Sequence, residues 1–189
     1  MKKAFTIIEV SILFLVFLIV AFLVAPLSFD DTIQARNIAK WRNVQPDFVN
    51  IFNGFNTNNM TETKTLLTEM LSDNVKSSAK KYKITYLNRQ RPQDKYIFDD
   101  FRTTYSNATI STKFFESPNN DILGIIMYDV NGSKSPNIWG RDVYGFNIYK
   151  DHIEPFCKQD NISIQRSDCS RHGSGLCCSN YYLIGGSFD

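Results

Sequence analysis

The chain has 189 residues and a formal net charge of +2, as much as Lys2 and Lys3 alone supply, so no global field points to nucleic acid or an acidic surface. Beyond about residue 30 some 160 residues remain, enough for one domain with its own core but tight for two. Aromatic content is 14%, with fifteen Phe and nine Tyr, which suits a β-rich globular head or a sticky surface.

The first element is MKKAFTIIEVSILFLVFLIVAFLVAPL, residues 1–27. Residues 10–29 carry no formal charge. That is about 20 residues, or roughly 30 Å of helix, enough to cross the hydrocarbon core of a bilayer. Lys2 and Lys3 would stay on the cytoplasmic side. Glu9 interrupts the apolar run near its start, where a charge costs roughly 2.5–3.5 kcal/mol even on the lenient insertion scale. A cleaved secretory signal needs a shorter core, and the small residues from Ala21 to Ala25 run straight into Pro26. A plain anchor fits the length but leaves Glu9 unexplained.

Phe5, Thr6, Ile7, Ile8, Glu9 and Val10, behind two lysines and the small residue Ala4, resemble the cleavage and methylation site of type IV prepilins and the pseudopilins of type II secretion. Most members carry Gly where this chain has Ala4. The resemblance covers roughly the first 30 residues. It implies a leader of residues 1–4 and cleavage between Ala4 and Phe5 by a prepilin peptidase. It further implies N-methylation of Phe5, and a Glu9 that meets the free amine of a neighbouring subunit during assembly. Residues 5–29 would then be the transmembrane and assembly half of a long helix, with Pro26 at a kink. Residues 30–189 would form a head outside the cytoplasm.

Ile33, Ile38, Trp41, Val44, Phe48 and Phe52 continue with mostly helical spacing, so one helix is expected over about residues 6–52, bent or restarted at Pro46. Gly54 and an Asn-rich segment end it. Residues 61–81 read as helix again, through Leu66, Leu67, Met70, Leu71 and Val75. The period then changes to two. Residues 82–87, 95–101, 108–115, 121–130 and 142–149 read as strands, with LIGG near the end as one more. Successive strands without helices between them argue for an antiparallel sheet. The expected class is α+β. A long helix, apolar and membrane-spanning in its first half, packs its second half on an antiparallel sheet, as in pilin-like folds.

Three sets of head residues could carry chemistry. In DVNGSKSPNIWGRDVYGF, residues 129–146, Asp129, Asn131 and Asp142 are hard oxygen donors that could hold Ca²⁺, while Asp and Asn also cap turns. The spacing is not that of an EF-hand. The D-x-N-G, P-N and G-x-D-x-aromatic pattern resembles bacterial pilin-like heads. Cys157, Cys169, Cys177 and Cys178 crowd the last 33 residues. Adjacent cysteines rarely bridge each other, so two disulfides are expected, each joining Cys157 or Cys169 to Cys177 or Cys178, in either order. Zinc with His172, or a Cys–His nucleophile with His152 or His172, has no spacing in its favour. Lys76, Lys80, Lys81, Lys83, Arg89, Arg91 and Lys95 form a basic run with Asp94 as its one acid. It reads as a solvated face, or as a contact for DNA, an anionic surface or a secreted partner.

Together these features indicate a structural subunit of a pilus or pseudopilus and not an enzyme, with no resident cofactor beyond the Ca²⁺ candidate. Its partners would be the bacterial inner membrane, which it crosses once, other subunits of a periplasmic or extracellular filament, and the peptidase. A minor pilin acting as a binding module is the first rival, and a membrane-anchored enzyme the second.

Overall fold

The computed structural model describes residues 7–52, 60–119 and 121–188, without the side chains of residues 23–30, 51, 52, 60 and 117–119. The chain divides into two compact units, Met1–Arg36 and Asn37–Asp189. Ala4 and Phe5 lie outside the described residues.

The first helix, α1, spans Ile7–Phe52. In the first unit its side chains from 7 to 22 are apolar almost without break and exposed throughout. Among the described residues no helix is long and apolar enough to cross a membrane. The fully described apolar stretch ends at Phe22, and sixteen helical residues reach only about 24 Å. The expected span runs on to Phe29, and the side chains from 23 to 30, Pro26 included, are outside the described set.

The second unit is α+β. After the rest of α1 come α2 (Met60–Ser72), β1 (Val75–Ser78), β2 (Arg102–Thr104), β3 (Thr109–Asn119), β4 (Ile122–Asp129), β5 (Val143–Ile148), β6 (Ile153–Pro155), α3 (Ile162–Asp168) and the single turn α4 (Cys178–Tyr181). The strands form one six-stranded antiparallel sheet in sequence order, a meander. Alternation along β4 and β5 explains why both read as nearly continuous apolar runs. Ile126, Tyr128, Tyr144, Phe146 and Ile148 face one side, and Ile125, Met127 and Val143 the other.

The first face is covered by α1 and α2. Trp41, with no exposed surface, packs on Tyr128, Tyr144 and Phe146, and Phe48 stacks on Phe146 with centroids 5.5 Å apart. Thr63, Leu67 and Leu71 of α2, one helical turn apart, are buried together. The second face is covered by an irregular segment carrying Ile84, Tyr86, Phe98 and Phe101, and by Trp139 and Phe156. At Gly145 a Cβ would stand 2.3 Å from the Phe156 ring, so only glycine allows this close approach.

Several expected elements are corrected. Residues 82–87 form no strand: Thr85 makes a single bridge to Ile138, and the rest is irregular. The period-two pattern there records which side chains are buried against the sheet, not a ladder. Residues 95–101 hold the end of a 3-10 turn, Asp94–Tyr96, instead of a strand. The second helix stops at Ser72, and its expected last part is β1. LIGG is a turn after α4. β2, β6 and α3 have three to seven residues each, too few to set a period.

Candidate functional site

The loop between β4 and β5 gathers Asp129, Asn131 and Asp142. Both carboxylates are fully buried. Asp129 ends β4 and Asp142 immediately precedes β5, so strand pairing brings both ends of the loop together. Asp129 accepts from the Asn131 amide at 3.1 Å and from the Tyr82 hydroxyl at 2.7 Å. Asp142 accepts from Asn131 Nδ2 at 3.0 Å and from the backbone amides of Asn137 and Ile138 at 2.8 and 2.7 Å. With its amide turned to donate, Asn137 reaches Asp129 Oδ2 at 3.2 Å and the Lys134 carbonyl at 3.1 Å. Burial, then the charge of Asp142, raises the Asp129 carboxyl to about 8. Burial raises Asp142 too, against its amide donors.

The three expected residues therefore converge, with the two carboxylates as acceptors and Asn131 as one of the donors around them. Asn131 presents its Nδ2 to Asp142, and its Oδ1 is buried without a hydrogen-bond partner among the described residues. The arrangement closes a long loop in the way Asp and Asn cap turns. Tyr82 joins the network from 47 positions away, and no local pattern could have identified it. Asn137 belongs to the P-N pair already noted, and at φ 51° it takes the left-handed conformation that Asn tolerates.

The tail packs against this loop. Of the two pairings left open, the chain has Cys157–Cys177 and Cys169–Cys178, and no cysteine is free. Cys157, Asp160 and Cys177 lie close together, but both sulfurs are bridged and offer no thiolate to a metal. Asp168 organises the turn between the bridges. It accepts from Ser174 N and Oγ, both at 2.7 Å, and from Cys177 N at 2.8 Å. Gly140, at φ 82°, leaves room for Cys178, whose sulfur would be 2.6 Å from a Cβ there. Tyr182 donates to the Gly140 carbonyl at 3.1 Å.

His152 stacks on Tyr149 and contacts Asp151 and Glu154, while His172 is exposed. The basic run is partly neutralised by acids that folding brings near: Lys81 pairs with Asp99, and Arg91 approaches Asp94 at 3.8 Å.

No family model matches this sequence, and no curated protein or solved structure matches it.

Proposed function

We propose that this chain is a pilin-like subunit, made with a four-residue leader, held in the inner membrane by its first helix, and assembled into a pilus or pseudopilus through that helix. One observation carries the reading. Every large apolar side chain between residues 7 and 22 is at least 49% exposed, on all sides of the helix. Apolar surface costs roughly 25 cal/mol per Å² in water, so this helix requires an apolar surround. Lipid supplies one, and a bundle of the same helices supplies another. The prepilin-like residues 4–10 select the second as the end state. A long helix whose later part packs on an antiparallel meander is the architecture that the resemblance implies.

Glu9 is the one acid in the apolar stretch, and the resemblance gives it the partner amine of a neighbouring subunit. The test is Glu9→Ala in a host with the prepilin peptidase and assembly machinery. Membrane insertion is retained, since the costliest group has been removed. Recovery in sheared filaments falls about tenfold, as expected from losing a paired charge in an apolar surround. Filament yield equal to wild type would show that Glu9 has no part in assembly.

A further inference from the structure

The basic run meets a cavity of about 380 Å³ in the second unit, lined by Lys81, Lys83, Arg91, Tyr96, Phe98 and Phe101 among others. Phe98 and Phe101 are buried and form an apolar floor, with Ile97 and Tyr96 partly exposed beside them. The cations stand at the rim, all exposed. Between residues 76 and 102 there are eight Lys and Arg against three Asp, a surplus of five in a chain of net charge +2. Asp99 takes up Lys81, Asp100 takes up Arg102 and Asp94 only approaches Arg91, at 3.8 Å, while Lys83 has no acidic partner among the described residues.

Part of the backbone beside the cavity is also unpaired among the described residues. Ala79 N donates to the Phe101 carbonyl at 2.7 Å, and Thr85 N to the Asn137 carbonyl at 3.2 Å. Between these two bonds, the N–H groups of residues 80–84 have no acceptor among the described residues. These residues are not a sheet edge, but their free N–H groups border an apolar slot and can donate to the carbonyls of an extended guest chain. Main-chain bonds supply affinity, and a pocket for one side chain supplies choice.

We propose that residues 80–84 and this cavity form a docking groove for an extended acidic peptide segment of another protein. One bulky apolar side chain of the guest enters the slot against Tyr96 and Ile97, above the buried Phe98 and Phe101. Its flanking carboxylates meet Lys83 and Arg91, and its backbone pairs with residues 80–84. Single-stranded nucleic acid fits less well. It needs a track of exposed ring faces for successive bases, whereas the partly exposed ring at this slot, Tyr96, already has Lys95 Nζ over its face at 4.9 Å. The proposal is independent of filament assembly.

The test is fluorescence anisotropy on the full chain in mild detergent. The probe is a fluorescein-labelled peptide, Glu-Asp-Val-Phe-Val-Asp-Glu. We expect saturable binding that weakens about tenfold, or 1.4 kcal/mol, in three ways: Phe replaced by Ala in the probe, its central amides N-methylated, or Lys83→Glu or Arg91→Glu in the protein. Both side chains are exposed, and circular dichroism checks that each variant folds. No binding at about 1 mM overturns the proposal. So does unchanged binding of the N-methylated probe, which would leave only non-specific charge attraction, or tighter binding of a labelled oligothymidine, which would make the groove a nucleic-acid site.

Discussion

The rings of Trp41 and Tyr144 stack 4.8 Å apart, with their planes 17° from parallel. This contact joins the later part of α1 to the centre of the sheet. Trp41 also donates its indole N–H to the Ser179 carbonyl at 2.8 Å, and Ser179 Oγ accepts from Gly145 N at 3.0 Å. One side chain thus connects helix, sheet and disulfide-bridged tail.

Trp41→Ala is expected to destabilise the second unit by about 3–5 kcal/mol, the range for removing a large buried aromatic. Trp41→Phe keeps a ring but leaves the buried Ser179 carbonyl without its donor, at a cost of about 1–3 kcal/mol. Urea unfolding of the full chain in detergent, followed by near-UV circular dichroism, measures both. A loss below about 1 kcal/mol for Trp41→Ala would mean that α1 is not fixed to the sheet at this point.

The acid pair makes a signed prediction about pH. The folded-state value of Asp129, about 8, lies above the value of about 3.9 expected for an unfolded Asp. The folded state therefore holds its proton more tightly. Its contribution to stability is full below about pH 4 and is lost as pH rises towards 8, by at most about 1.4 kcal/mol per unit. Asp129→Asn mimics the protonated form and keeps an oxygen for the Asn131 amide. Its stability relative to wild type should rise steadily from pH 4 to 8. Parallel profiles for the two proteins would show that Asp129 is ionised throughout that window. Calcium at roughly 10 mM, above the weakest extracellular affinities, should leave the wild-type melting temperature unchanged, because donors already ring the carboxylates. A marked rise would mean that the loop reorganises around the ion.

The tail makes a covalent prediction. Thiol titration of the denatured, unreduced protein should find no free thiol, and peptide mapping should recover the 157–177 and 169–178 links. The bridges span 20 and 9 positions. Closing a loop of about 15 residues is worth about 3 kcal/mol in the chain-entropy model. Cys169→Ser with Cys178→Ser should therefore leave a head that proteases cleave faster within residues 157–182. Crossed links, or four free thiols, would contradict this arrangement.

Much of this organisation is legible in the sequence, and the illegible parts share a physical cause. Long periodic elements announce themselves. The single helix to Phe52, β3, β4 and β5 are all read within a few residues, because many side chains repeat the same demand. Asp129 and Asp142 are legible as a pair because turn residues mark both ends of their loop. Tyr82 and Trp41 are legible only as apolar positions. Their partners, Asp129 and Ser179, are set by tertiary packing across 47 and 138 positions. Residues 82–87 mislead because a segment lying on a sheet face alternates buried and exposed side chains as a strand does. The short strands β2 and β6 have no period, and their neighbours in the sheet decide them.

The proposed processing and assembly of this chain as a pilin-like subunit is tested most directly by the amino terminus of the mature protein. Mass spectrometry of the mature chain, from a host with the prepilin peptidase, should show a first residue of Phe5 bearing one methyl group. An intact Met1, or a cut near Ala25, would contradict the account.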